Sequence, residues 1–177
     1  MEIVELDRKE YDYFELHYHY QTDEYYKVCS KSTKEQMSIS FVREKFPQKV
    51  VYDNTDTLFQ DYWNNPRAFG VKDENGNMVA FLEFDTQQWN NRLVMTQLLV
   101  KEECRGKGIG RMLMDFVKDY ARRDDYRIIT LETQNTNTPA IDFYFKMGFA
   151  FCGSNIYFYS NDDIGENEVM LEMAFTL

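Results

Sequence analysis

Between Ile109 and Ala121 the apolar residues recur at spacings of three and four: Ile109, Met112, Leu113, Phe116, Val117, Tyr120 and Ala121. That stripe predicts a helix with one buried face, and Arg111, Asp115, Lys118, Asp119, Arg122 and Arg123 fill its solvated side. Elsewhere the pattern reads as strand. Residues 2–6 alternate, and apolar runs follow at 68–72, 78–86, 93–101 and 127–132. Asp73-Glu74-Asn75-Gly76-Asn77 predicts a hairpin turn, and Asn90-Asn91 predicts another. A second helix is expected after Asn137 or Thr138 as cap, with Pro139 in its first turn and Gly148 at its end. Residues 149–159 and 168–175 predict a closing hairpin through the polar stretch 160–167. The long segment 9–63 is expected to be helical or irregular, with a break at Phe46-Pro47. Strands, then alternating helix and strand, then a hairpin, indicate a mixed α/β sandwich.

Length and charge narrow the class. A chain of 177 residues suffices for one substantial core, and nothing in the pattern demands a second domain. No apolar segment is long enough to span a bilayer, and Met1-Glu2-Ile3-Val4 is not a secretion signal. Cys29, Cys104 and Cys152 are odd in number and lack metal-binding spacing, which suits a reducing cytoplasm. His17 and His19 lie two apart with no Cys or Asp cluster beside them, so no metal is expected. The net charge of −10 argues against nucleic acid and anionic membrane as partners and is compatible with a cationic small molecule.

Against that acidic background, one segment is basic. From Lys101 to Arg127 there are eight Lys and Arg against six Asp and Glu. At its head stands Arg105-Gly106-Lys107-Gly108-Ile109-Gly110-Arg111, between a strand and the periodic helix. Glycines let backbone N–H groups approach an anion, and a helix N-terminus adds partial positive charge, so the loop is a candidate diphosphate cradle. Two familiar registers fail. No Ser or Thr follows Lys107, as a Walker loop requires, and a dinucleotide fingerprint would need glycine where Arg111 stands.

Arg105, Gly108 and Gly110 instead match Arg-x-x-Gly-x-Gly, which resembles the acetyl-CoA signature of the GNAT superfamily of acyl-CoA N-acyltransferases. A second match lies at 137–149. Asn137, Ala140, Phe143, Tyr144, Gly148 and Phe149 meet every anchor of the superfamily's Asn-x-x-Ala-x-x-Phe-Tyr-x-x-x-Gly-Phe element. Two motifs in the right order make the resemblance specific, and it covers roughly 67–177. The run Leu131-Glu132-Thr133-Gln134-Asn135, followed by Asn137, with Glu168-Val169 near the end, is similar to streptothricin acetyltransferases.

The resemblance implies an α/β (α+β) fold of one domain over 1–177: a mixed, mostly antiparallel sheet, helices on both faces and splayed central strands. It also implies acetyl-CoA as cosubstrate. The diphosphate would rest on Arg105, Gly106, Lys107, Gly108, Ile109 and Gly110 with Arg111 nearby. The pantetheine arm would pair like a strand with Leu98, Leu99 and Val100, and Asn137, Ala140 and Phe143 would contact it. Tyr144 would protonate the departing thiolate; its alternative is an ordinary core tyrosine in a chain with 13 of them.

The base for the amine is less defined. Relatives carry acidic residues in the strand before the glycine loop, where this chain has Thr96 and Gln97. Glu83, Asp85 and Glu132 become the candidates, each with an alternative as a surface or cap carboxylate. For the acceptor, Glu24, Tyr25 and Tyr26 or Trp89 could form an aromatic wall for a cation, although packing alone also explains the N-terminal rings. The implied activity is direct acetyl transfer to a primary amine of a small cationic acceptor, antibiotic-like or polyamine-like, by a cytoplasmic enzyme for which a homodimer is one expected state. A protein or peptide N-acetyltransferase and a non-catalytic acyl-CoA-binding module are the alternatives.

Overall fold

The computed structural model describes residues 1–177. Contacts gather the chain into two compact units: Met1–His19, Asp53–Leu131 and Phe175–Leu177 form the first, Tyr20–Tyr52 and Glu132–Ala174 the second. No helix is long and apolar enough to cross a membrane.

The first unit is built on strands β1 (Glu2–Leu6), β4 (Arg67–Lys72), β5 (Met78–Gln87) and β6 (Arg92–Val100), each antiparallel to the next in that order. Strand β7 (Ile128–Gln134), which begins in this unit and ends in the other, lies parallel to β6. A parallel pair needs a crossover, and helix α2 (Ile109–Arg123) supplies it. Of the apolar stripe read from the sequence, Ile109, Leu113, Val117, Tyr120 and Ala121 are buried and Met112 and Phe116 half-buried. Met114 joins them, and Lys118, expected on the solvated side, is buried with its ammonium over the Phe175 ring.

Strand register decides which residues meet that helix. Phe69 of β4 packs on Phe116 with ring centroids 4.8 Å apart, and Phe84 of β5 packs on Tyr120 at 4.8 Å. Residues at odd steps from Phe84 therefore face away from α2. Phe81 shows it, meeting Phe14 at 5.3 Å within a second cluster of Leu6, Leu16, Leu58, Phe59, Ala68 and Leu99. With apolar layers on both faces, β5 is buried from Val79 to Asp85. Glu83 and Asp85 consequently enter the second layer, beside Phe81, at 0% and 1% exposure.

Two irregularities shape β6. Glu83 pairs with Gln97 but Phe84 pairs with Met95, so Thr96 is the extra residue of a β-bulge. The parallel ladder to β7 runs from Arg92/Ile128 to Met95/Leu131. Beyond it β6 continues its ladder with β5, ending at Val100/Ala80.

The N-terminal expectation fails. Residues 9–63 hold one short helix, α1 (Arg8–Tyr11), and then strands β2 (Glu15–Ser32) and β3 (Met37–Thr57), paired as a two-stranded sheet. The sequence signal was an alternation without a long apolar run: Leu16, Tyr20 and Thr22 are buried while their odd-numbered neighbours are exposed or half-buried. Tyr, Val, Thr, Ile and Phe supply the β preference. Pro47 is tolerated because a two-stranded ribbon has edges that need no N–H donor.

Most of that ribbon belongs to the second unit, together with helix α3 (Thr138–Lys146), helix α4 (Asp163–Glu166) and the antiparallel strands β8 (Ala150–Asn155) and β9 (Met170–Thr176). Strand β9 ends in the first unit. Asn135, fully buried, ties the second unit together. Its amide group donates to the Tyr26 carbonyl at 3.0 Å and to Asn167 at 2.8 Å, and its Oδ1 accepts from the Val169 N–H at 2.8 Å. Arg43 adds a fork of two bonds to Asp142, at 2.6 and 2.9 Å, and one to Glu24.

Candidate active site

In the first unit the glycine loop joins β6 to α2. Gly106 and Gly108 have φ of +75° and +82°, a left-handed backbone that side chains rarely adopt. A Cβ at either would meet nothing within 4 Å, so the requirement is conformational and not a matter of space. Gly108 is the N-cap of α2 and offers no side-chain acceptor. The first-turn amides, from Ile109 through Arg111, have no partner inside the helix by its geometry. An α-helix of 15 residues thus presents uncapped N–H groups and its positive dipole end behind a loop whose backbone is open. That arrangement fits a diphosphate.

The loop cations divide by role. Arg105 donates through Nε to the Val100 carbonyl at 3.1 Å, and Lys107 donates through Nζ to the Glu103 carbonyl at 3.0 Å. Both brace the loop on its own backbone. Arg111 is exposed on the first turn of α2. Ahead of the loop, Leu98, Leu99 and Val100 pair with Leu82, Phe81 and Ala80 on one side.

Behind β6 lies a set of buried polar groups. Both Glu83 oxygens are engaged: Oε1 accepts from the Thr96 hydroxyl at 2.8 Å and Oε2 from the Phe59 N–H at 2.6 Å. Burial raises the Glu83 carboxyl above the ordinary glutamate value, the two hydrogen bonds oppose that shift, and the charges of Asp56 and Asp85 add to it. Asp85 accepts from the Asn65 N–H at 2.8 Å. Gln97 donates to Asp56 at 2.7 Å and accepts from the Tyr18 hydroxyl at 2.6 Å. Asp56 and Tyr18 escape sequence reasoning because they stand 41 and 79 positions from Gln97 on strands not foreseen.

In the second unit, α3 carries the other motif. Asn137 caps the helix, its Oδ1 accepting from the Ala140 N–H at 3.2 Å, which leaves its amide N–H groups to donate. Ala140 and Phe143 are half-buried. Tyr144 is 8% exposed and packs on Phe143 and Phe149. Burial pushes its hydroxyl up to about 12, so it stays protonated across the working range. Glu132 lies exposed on β7 within this unit; burial raises the Tyr159 hydroxyl to about 12, and the Glu132 charge adds to that shift. A cavity of about 310 Å³ between ribbon and α3 is lined by Tyr26, Phe41, Ile141, Phe145, Phe151 and others, an apolar set without acid or base.

The aromatic candidates for the acceptor fall elsewhere. Trp89 is 84% exposed on the turn between β5 and β6. Tyr25 stacks on Phe46 at 4.4 Å, and Tyr26 lies under the Arg43 guanidinium. Both rings pack the ribbon.

Residues 35–149 match the Acetyltransferase (GNAT) family. The chain is 37% identical over 108 residues to streptothricin acetyltransferase of Streptomyces lavendulae, covering 60% of this chain and 57% of that protein. It is 32% identical over 94 residues to streptothricin acetyltransferase of Escherichia coli, covering 53% of each. These matches span little over half the length of the curated relatives. Among solved structures, nourseothricin acetyltransferase superposes with a TM-score of 0.78 at 25% identity over 99% of this chain and 97% of that one. A Bacillus anthracis structure in complex with acetyl coenzyme A superposes with a TM-score of 0.72 at 22% identity, over 99% and 96%, a likeness of fold.

Proposed function

Because the chain belongs to the Acetyltransferase (GNAT) family, we propose that it moves the acetyl group of acetyl-CoA directly to a primary amine of a small cationic acceptor. Residues 1–177 are read as one catalytic domain, and the thiols of Cys29, Cys104 and Cys152, none of them in a disulfide, suit a reducing cytoplasm. The observation that carries the reading is the left-handed Gly106/Gly108 loop opening onto an uncapped helix directly after strand β6. Streptothricin and nourseothricin, named in the relatives' activities, are amine-bearing acceptors of this class and head the candidates.

Each role falls on a residue already placed. Amides of 106–110 hold the diphosphate, the Arg105 N–H being bonded to the Glu102 carbonyl, with Arg111 adding charge. Backbone groups of Leu98, Leu99 and Val100 hold the pantetheine arm, with Asn137, Ala140 and Phe143 as further contacts. The amine nitrogen forms its bond to the thioester carbonyl carbon as the C–S bond breaks. Tyr144 gives its proton to the sulfur, and the proton lost by the nitrogen ends on Glu83. Glu83 is favoured over Glu132 because its raised affinity for a proton suits a base, whereas Glu132 is solvated.

Free-thiol release from acetyl-CoA, measured against streptothricin, spermidine and an N-terminal peptide, tests the reading. Saturable release with a small cation and none with the peptide is expected. Release with the peptide alone assigns a protein acceptor. Acetyl-CoA binding with no release for any amine makes the chain a binding module.

A further inference from the structure

Strand β6, which leads into the glycine loop, carries no acid, and Thr96 at its bulge is bonded to one on β5. Thr96 is the unpaired residue of the bulge, half-buried, at the point where β6 leaves its parallel neighbour. Its hydroxyl donates to Glu83 Oε1 at 2.8 Å, and Glu83 is itself 0% exposed. A carboxylate so enclosed cannot touch an incoming amine, whereas Thr96, bonded to it, is only half-buried. We propose that Thr96 is the relay of the acetyl transfer: its Oγ accepts the proton released by the amine nitrogen while its own Oγ–H proton passes to Glu83 Oε1. One N–H bond and one O–H bond break, two O–H bonds form, and the threonine is unchanged at the end.

Strand pairing puts Thr96 there: Met95 pairs with Phe84 on the α2 face, so its neighbour Thr96 lies on the opposite face, with Glu83. The extra residue puts Thr96 and Gln97 together on the carboxylate face. The second Glu83 oxygen is fixed by the Phe59 N–H, so the carboxylate cannot swing out to do without the relay. Other groups facing Glu83 hold its proton affinity high. They are Asp56 at the end of β3 and Asp85 on β5, with Tyr18 of β2 reaching the same layer at Gln97. Arg8 of α1 is bound to the Phe59 carbonyl and Asp61.

The inference rests on the proposed acetyl transfer, and the test separates the two. Thr96→Val and Thr96→Ser are compared with the wild type in kcat/KM against pH, using one amine so that its own ionisation cancels. Glu83 is titrated in parallel by carbon NMR of a 13C-labelled carboxyl, without substrate. The relay predicts a fall of about 100-fold or more for valine, within the range for lost proton transfer, and near-full rescue by serine. The acidic limb of the wild-type profile should coincide with the Glu83 titration. Removing the hydroxyl bond should raise that titration in the valine variant and leave it in the serine variant. Valine activity within about threefold of wild type, or a Glu83 titration indifferent to Thr96→Val, overturns the relay with acetyl transfer intact. No turnover by the wild type with any amine overturns the transfer reading itself.

Discussion

Tyr144 and Glu83 owe their chemistry to burial, in opposite senses. Removing the phenol from water holds Tyr144 neutral up to about 12. An acid kept protonated in this way should impose no alkaline limb on kcat below roughly pH 11. Tyr144→Phe deletes the donor and keeps the ring contacts with Phe143 and Phe149, so kcat should fall about 100-fold with little change in acetyl-CoA affinity or thermal midpoint. An unchanged kcat would remove the tyrosine from the reaction. For Glu83 the same desolvation favours the protonated form. Activity that needs the carboxylate should therefore be lost as pH falls through a value above the ordinary glutamate range. Glu83→Gln should flatten that limb and lower the plateau, which a pH profile of kcat/KM reads directly. Little of this was visible in residue order. Tyr144 stood out by its place in a motif, while Glu83 was one of three acids and is singled out by the strand register that sends it beneath Phe59 and Thr96.

At the level of elements, the glycine loop and its helix were the most legible part of the chain. The 3.6-residue period of α2, the turn at 73–77 and the cap at Asn137 all appear where local chemistry places them. The β2–β3 ribbon was not legible, because tyrosines and charged residues alternating at period two carry a weak signal when neither face is uniformly apolar. Local conformation gives the loop its sharpest test. Gly108→Ala forces a side chain into φ near +82°, costing about 1–2 kcal/mol. Either the fold pays that cost or the loop shifts and its amides no longer converge. The acetyl-CoA Kd should rise, and a calorimetric Kd equal to wild type would show that the loop does not hold the cosubstrate. Helix α2 itself is anchored by Leu113 at 0% exposure, and Leu113→Ala should cost about 2–5 kcal/mol in denaturant unfolding.

For the whole molecule, stability and reaction rest on different joints. Asn135 makes three side-chain hydrogen bonds from a fully buried site, tying β2, the end of β7 and the approach to β9. Asn135→Ala strands the Tyr26 carbonyl and the Val169 N–H, at about 1–3 kcal/mol each, and should lower the thermal midpoint strongly without touching any group assigned to the reaction. If residual folded protein keeps its kcat, structure and chemistry are separable there. The family supports acetyl-CoA as donor, for which 105–110 is the proposed site, and the acceptor is set by surfaces that the motifs do not encode. Direct transfer is tested by a single-turnover experiment. Enzyme in excess over acetyl-CoA labelled in the acetyl group is mixed with streptothricin and quenched over time. Label is expected to pass from acetyl-CoA to the amine nitrogen, with none retained on the protein at any time. Label accumulating on the protein, on Cys104 for instance, or remaining on bound acetyl-CoA throughout, would contradict it.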